Sequence, residues 1–418
     1  MKKNTDFEAF NFACKNQIEI DTRFVKEIGF DSVDTYWAPR PNVWLSKIKK
    51  PYRFKVLFLI LAVLWRYFAS YIFIILSWFL TLRKFFFEKN RSTSFKGVNS
   101  IFLAFCDKSL SLASCKSIGF QVDVIINFLD DETKDNSNEN IYKASELYTF
   151  MDLFIALYAS LKANLFFQQE CKILEGFESY TVFKWFLYKR VIQKFNTNLV
   201  IAEHYDRWAV LSDICVAQGN KKYNSSNHLT IVQHGAILGL NVNNLNSISK
   251  LKLPYMIKNI SYLYVYDTNS LDFFEKNVIH SSAFFNLKNF FFTPEINLER
   301  VACSNKSVLI IGHPLSLDFH KKIFFDLHKK NIEVFYKPHP AMKKNISFYN
   351  PKWHLISKAD FFPEVDFLVS YPSTLVMEYK KHGISSFVHP LAINKTEYKK
   401  YKSKILREIK LQGLVKNG

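Results

Sequence analysis

The chain has 418 residues, 49% of them hydrophobic and 17% aromatic, which is enough apolar material for two or three packed units and excludes a disordered or fibrous protein. Its 56 basic residues outnumber 37 acidic ones for a formal charge of +19, so an anionic partner is expected: nucleic acid, a phosphate-bearing small molecule or an acidic membrane. The excess lies at the two ends, where residues 1–100 hold 17 Lys/Arg against 8 Asp/Glu and residues 391–418 hold 8 against 2. The balanced middle lacks the alternation of basic and aromatic residues that a nucleic-acid surface needs, so no nucleic-acid partner is expected.

The N-terminus, MKKNTDFEAF, has acidic residues where a secretory signal would need an apolar core, so the chain is expected to stay inside the cell. Six cysteines (Cys14, Cys106, Cys115, Cys171, Cys215 and Cys303) form no CxxC pair and no zinc-spaced cluster with histidine, and read as buried, reduced thiols. Residues 1–50 are an N-terminal segment, followed over 51–96 by a basic, hydrophobic unit. Within it, Val56–Leu82 runs 27 residues with Arg66 as the single charge. As a helix it would reach ~40 Å at ~1.5 Å per residue, enough to cross a bilayer. Lys47, Lys49, Lys50, Arg53 and Lys55 precede it and Arg83, Lys84, Lys89 and Arg91 follow it, so both flanks favour the cytoplasmic side. A helix dipping into one leaflet satisfies both flanks, with Arg66 snorkelling to lipid phosphates and Trp65, Tyr67, Tyr71 and Trp78 in the interfacial zone. Spanning would hold Arg66 near the bilayer centre at about 2.5 kcal/mol or more. A buried helix of a soluble domain is the third reading.

Beyond residue 96 short apolar runs alternate with longer amphipathic ones, the pattern of βαβ units around a largely parallel sheet. Strands are predicted at Ser100–Phe105, Val122–Phe128, Leu199–Ala202, Thr230–Gln233 and Tyr262–Tyr266, with helices near Ala144–Gln169, Val182–Phe195 and Trp208–Gln218. A second set comprises strands Ser307–Ile311, Glu333–Tyr336, Asp366–Ser370 and Ser385–Val388 and helices Leu317–Lys329 and Ser373–His382. The expected fold class is therefore α/β, with two Rossmann-like domains over 97–295 and 300–392 joined by an aperiodic linker at Ile279–Asn305. A basic helix over 393–418 is expected to pack back on the first domain, touch anionic lipid or stand in solvent.

Ligands of such sheets bind beyond the carboxyl ends of the strands. One predicted strand ends in His234-Gly235, another in Gly312-His313-Pro314, a third in Lys337-Pro338-His339-Pro340, and a fourth runs into Tyr371-Pro372-Ser373-Thr374. Pro372 suits a helix start, and the free N–H groups of Ser373, Thr374 and Leu375 with two hydroxyls make a seat for phosphate. Glu378, one turn further on the same face, is ~5–6 Å away, close to the separation of a nucleotide's phosphate from its ribose. Lys337 and His339 add a cation and an imidazole on a loop stiffened by two prolines. Each of these groups also has an ordinary structural reading as a cap or a solvated turn residue. Asp130-Asp131-Glu132 could hold a cation but reads better as an acidic surface loop, so no metal site is expected.

The order HG, GxP, KPHP and S-[ST]-x-x-x-E over residues 200–390 resembles the GT-B glycosyltransferases of bacterial surface polysaccharide synthesis. It is most similar to those using CMP-activated acidic sugars (sialyl-, polysialyl- and Kdo-type) and, more remotely, to CDP-glycerol glycerophosphotransferases. The resemblance implies a nucleotide-activated sugar as substrate with no separate cofactor, and a polysaccharide or lipid-linked acceptor at the cytoplasmic face of the inner membrane. It also implies His339-Pro340, Ser373 and Thr374 on the donor phosphate, Glu378 on its ribose, and metal-independent transfer. The acidic motif that carries the base in sialyltransferases has no clean copy here. Glu203 and Asp206 in AEHYDRW are the nearest candidates, while the glycerophosphotransferase pattern points to His234. Arg207 and Trp208 could contact an acidic sugar or be structural. A sugar-nucleotide 2-epimerase shares the fold and the HP-type contacts, but has no use for residues 56–82.

Overall fold

The computed structural model describes residues 5–27, 55–87, 95, 97–113, 122–129, 140–235, 251–292, 296–301, 305–339, 353–358, 361–393 and 395–414. Short runs of valine, isoleucine and leucine, too brief for helices and apolar on both faces, become strands that are covered on both sides. Seven strands form one parallel sheet: β1 (Ser100–Ala104), β2 (Val124–Asn127), β3 (Ile141–Lys143), β4 (Asn198–Ile201), β5 (Leu229–Val232), β6 (Ile260–Val265) and β7 (Lys288–Phe291), in the order β3-β2-β1-β4-β5-β6-β7. After a two-residue strand β8 (Leu298–Glu299), a second parallel sheet comprises β9 (Ser307–Ile311), β10 (Glu333–Lys337), β11 (His354–Leu355), β13 (Phe367–Ser370) and β14 (Ser385–Val388), in the order β11-β10-β9-β13-β14. The remaining strand, β12 (Phe362–Pro363), pairs with β8. In each sheet the order reverses beside its first strand, between β1 and β4 and between β9 and β13. These are two Rossmann-like domains, the fold class that the alternating pattern predicts, and each reversal opens a crevice at the carboxyl ends of the strands.

The domain limits differ from those expected. Helix α1 (Thr5–Glu27) is no separate segment: Phe10, Ala13 and Cys14 are wholly buried in the first domain's core. Its Asn16 Nδ2 donates to the carbonyls of Tyr205 (3.2 Å) and Tyr255 (2.9 Å), and its Oδ1 accepts the Tyr255 N–H. The hydrophobic unit is one continuous helix, α2 (Lys55–Leu64) leading through a π turn at Trp65–Ala69 into α3 (Ser70–Phe87). After the short α4 (Asp107–Ala113), helix α5 (Phe150–Glu170) opens on a capping box between Thr149 and Asp152, with α6 (Val182–Ile192) beyond it. Arg66 does not reach outward from the hydrophobic helix. Its guanidinium donates to the Cys171 carbonyl at 2.6 Å, a backbone group that the end of α5 leaves open. The flanking Lys47, Lys49, Lys50, Arg53, Lys89 and Arg91 lie outside the described residues, as do Cys115, Cys303 and Asp130-Asp131-Glu132.

Helices α7 (Arg207–Tyr223) and α8 (Thr268–Asn277) complete the first domain, and α9 (Leu317–His328), α10 (Thr374–Lys381) and α11 (Tyr398–Leu411) belong to the second. The expected linker at 279–305 instead supplies β7, which pairs with β6 from Tyr262↔Lys288 to Val265↔Phe291 and closes the first sheet's edge. Its sequence, KNFF, has no alternation because all four residues are exposed. The basic C-terminal helix packs on the second domain: Ile405 and Ile409 are wholly buried with Val308, Phe319 and Tyr336, and its lysines face outward.

Candidate functional site

In the first domain, the start of α4 after β1 and the loops after β4, β5 and β6 bring Lys108, Glu203, His204, His234 and Tyr266 to one end of the sheet. His234 is held from two sides. Its backbone N–H donates to His204 Nε2 at 3.0 Å, and its ring Nδ1 hydrogen-bonds the Ala202 carbonyl. A carbonyl can only accept, so Nδ1 carries the proton and Nε2 is left with a lone pair. Burial, and then the nearby Lys108 charge, push this imidazole down to about 4, so it is neutral at physiological pH. Gln233 fixes the loop, donating to the Gly235 carbonyl while its Oε1 accepts the Tyr266 N–H at 2.9 Å.

The two carboxylates weighed as alternative bases are differently engaged. Asp206 is the N-cap of α7, with Oδ1 accepting from the N–H groups of Trp208 (2.9 Å) and Ala209 (3.1 Å). Glu203 is buried, its Oε2 has no hydrogen-bond partner, and burial together with the Asp206 charge holds its carboxyl well above the usual range. Neither is a ready base, whereas His234 is. Arg207 turns away from the crevice into a buried ion pair with Glu178 and also donates to Thr181, and Trp208 stacks on Phe105 with ring centroids 5.2 Å apart.

In the second domain the crevice is bordered by the ends of β9, β10 and β13. His313 Nδ1 accepts the Leu315 N–H, which leaves its proton on Nε2 as a donor, and its ring lies 5.2 Å from His339 and 5.0 Å from Tyr371. Burial pushes His313 down to about 3, and burial with the Lys108 charge lowers His339. Ser373 is the N-cap of α10 but its side chain does not cap the helix, so the first-turn N–H groups remain directed out of the helix end. Pro372 precedes this cap instead of occupying the first helical position.

Two of the expected groups have structural duties. Gly312 is required by packing, because a Cβ there would lie 2.3 Å from the Tyr336 hydroxyl, and its N–H continues the ladder to the Lys337 carbonyl. The Lys337 ammonium donates to the Phe361 carbonyl at 2.8 Å and sits 4.4 Å from the centre of the Phe362 ring. Pro340 lies outside the described residues.

The two halves meet through Lys108. Its ammonium, contributed by the first domain, donates to Thr374 Oγ1 at 3.0 Å at the start of α10 in the second. Its charge acts on Glu378 and His339 across the crevice and on His234 beside it. Surrounding protein lowers the Lys108 pKa although the side chain remains open to solvent, as expected for a group lining a crevice. Glu378 is buried and its carboxyl is raised, burial outweighing the attraction of Lys108 and Lys337; burial, and then the Glu378 charge, raise the Tyr266 phenol, whose hydroxyl has no partner. Lys108, His204 and Tyr266 are not among the site residues expected from the sequence, and Tyr371 is named there only as the end of its strand. The signal was present: Lys108 stands four residues beyond β1, His204 three beyond β4, and Tyr266 and Tyr371 directly follow β6 and β13.

No family model and no curated protein matches the chain. Among solved structures it is similar to MurG of Acinetobacter baumannii, with 13% identity, a TM-score of 0.34 and coverage of 74% of this chain and 83% of that one. Likeness at that level identifies no activity, and the functional reading rests on the crevice itself.

Proposed function

We propose that the protein is a glycosyltransferase that moves a sugar, an acidic one such as a nonulosonic acid or Kdo, from a CMP-activated donor to a growing surface polysaccharide or lipid-linked acceptor at the cytoplasmic face of the bacterial inner membrane. The observation that carries this reading is the Lys108–Thr374 contact at 3.0 Å, which joins the carboxyl ends of two Rossmann-like sheets around a helix start. A phosphate seated there would meet the α10 N–H groups, the Ser373 and Thr374 hydroxyls, the Lys108 ammonium and the His339 and His313 imidazoles. Glu378, one turn along α10, is positioned for ribose hydroxyls.

Transfer then follows from the groups present. His234 Nε2 takes the proton of the acceptor hydroxyl as its oxygen attacks the anomeric carbon. The bond from that carbon to the donor's phosphate oxygen breaks, and the nucleotide leaves with the electron pair, its added charge met by Lys108 and the helix start. Closure of the two domains around both substrates supplies the alignment.

The tautomer of His234 also favours a second reading. A histidine base after an HG strand end fits a polyol-phosphate transferase using a CDP-glycerol-type donor, in which the same base would direct the acceptor at phosphorus. Thermal shift and transfer assays with CMP-, CDP- and UDP-linked donors separate the two. Stabilisation by CMP-sugars with transfer supports the first reading, turnover of CDP-glycerol alone replaces it with the second, and no response to any cytidine compound refutes both.

A further inference from the structure

The hydrophobic helix and α5 present one apolar surface. The two run antiparallel, with Phe85 against Phe150 (ring centroids 6.5 Å), Trp78 against Phe154 (5.3 Å), and Asn164 Nδ2 donating to Ser70 Oγ at 2.9 Å in a buried contact. At the far end Trp65 Nε1 donates to the Gly176 carbonyl at 2.9 Å and Arg66 holds the Cys171 carbonyl. Ser70, Asn164, Trp65 and Arg66 thus direct their polar atoms inward. Outward, α2 and α3 expose Leu64, Leu76 and Phe79 at 52%, 53% and 57%, and α5 exposes Met151, Tyr158 and Leu165 at 64%, 60% and 50%. Together they form an apolar face wider than a soluble monomer ordinarily leaves to water.

We infer that this two-helix face lies in one leaflet of an anionic membrane, with both helices parallel to its plane. The inference rests on the apolar surface alone and stands independently of the transferase reading. Three observations select this occupant. First, the inner face of α5 is part of the first domain's core, with Leu153, Ala156, Ala163 and Phe167 buried there. A helix fastened along α5 at four points therefore cannot stand across a bilayer without carrying the domain in with it. Second, the face is free of accessible acid between its ends: α2 and α3 contain no Asp or Glu, and Asp152 of α5 is buried against Arg190 and Lys194. Third, apart from Glu170 at the end of α5, its exposed charges are cationic, with Lys162 folded over the Tyr158 ring at 4.3 Å and Arg83 exposed, both suited to snorkel to lipid phosphates.

The test is flotation of the full chain with phosphatidylcholine vesicles, with and without phosphatidylglycerol. The expected result is vesicle binding that rises with the anionic lipid. It should fall at least tenfold both in Leu76→Glu/Phe79→Glu and in Met151→Glu/Leu165→Glu, the folded state of each variant being checked by circular dichroism. If the α5 variant floats like the wild type while the α3 variant does not, the two-helix surface is wrong and the first helix acts alone. If neither variant changes flotation, or if both merely convert a lipid-free dimer to monomer, the face does not meet lipid and the inference fails.

Discussion

At the scale of single residues, the proposed transfer uses the His234 imidazole as base and the Lys108 ammonium as the anion's partner. Replacing His234 with glutamine should lower turnover by about 10²–10⁴-fold, the usual contribution of a general base, with little effect on donor affinity. Asp206→Asn should retain most activity because the amide oxygen still caps α7. If Asp206→Asn is the dead variant and His234→Gln is active, the base is misassigned. The pH profile is a second check. The useful form of His234 is neutral and its pKa is pushed down to about 4, so the base is fully present near neutrality and lost only as pH falls through about 4. Turnover should therefore be nearly level between about pH 5.5 and 7, where an ordinary imidazole, titrating near ~6.5, would already be failing. Lys108→Met should lift the acid limb towards higher pH, since one of the two causes of the depression is gone. It should also weaken nucleotide binding by about tenfold to a hundredfold, the worth of a hydrogen bond to a charged group at ~1.5–3 kcal/mol. Titration calorimetry that finds equal affinity in Lys108→Met and wild type would remove Lys108 from the phosphate site.

At the scale of elements, the strands were readable where burial on both faces left an apolar run, as in SVLII, whose predicted limits coincide with β9; the limits predicted for half-buried SSFV also coincide with β14. Elements whose stability comes from distant contacts were not readable in the same way. Helix α1 mixes polar and apolar residues, and what fixes it is Asn16 bonding backbone more than 180 residues away and Phe10 packing on Trp185 at 5.5 Å. The exposed edge strand β7 lacks the alternation that would mark it. For the site, a strand-end rule located His234, His313, His339 and the start of α10, yet Lys108 went unnoticed because its partner Thr374 is 266 residues away. The hydrophobic helix was plain in composition, while the inward direction of Arg66 depends on where α5 ends. The α1 contact makes a prediction of its own. Phe10→Ala should destabilise the first domain by ~3–5 kcal/mol, the cost of an aromatic cavity, although the residue lies outside both sheets. A denaturation midpoint unchanged from wild type would mean that α1 is detached in solution.

For the whole molecule, the unusual feature is the number of neutral, protein-enclosed imidazoles in both domains: burial lowers the pKa of His204, His234, His313, His320, His339 and His389. The pair His320–His389, joined Nε2 to Nε2 at 2.9 Å, lies in the second domain away from the carboxylates of the crevice. In the folded state His234 and His389 resist protonation until about 4 and His313 until about 3, the others being lowered in the same direction, whereas in the unfolded chain they protonate near ~6.5. The unfolded state therefore binds more protons in that window, and stability falls as pH drops from about 6.5 towards 4, at up to ~1.4 kcal/mol per pH unit for each group. Glu203, Asp213 and Glu378 act in the opposite sense, since their raised carboxyls hold protons in the folded state that the unfolded chain has released. With His228, also lowered by burial, seven imidazoles stand against three carboxyls, and a net loss is expected. The lowered Asp152 and Asp366 add to it only nearer their ordinary values, close to pH 4. Urea unfolding at pH 7.5, 6.5 and 5.5 should give a falling midpoint, with the larger drop at the third. His389→Gln, which keeps a hydrogen-bonding side chain beside His320 but cannot take up the proton, should make that drop shallower. A midpoint that holds steady to pH 5, or a drop of undiminished size in His389→Gln, would mean that these imidazoles are open to water in the native protein.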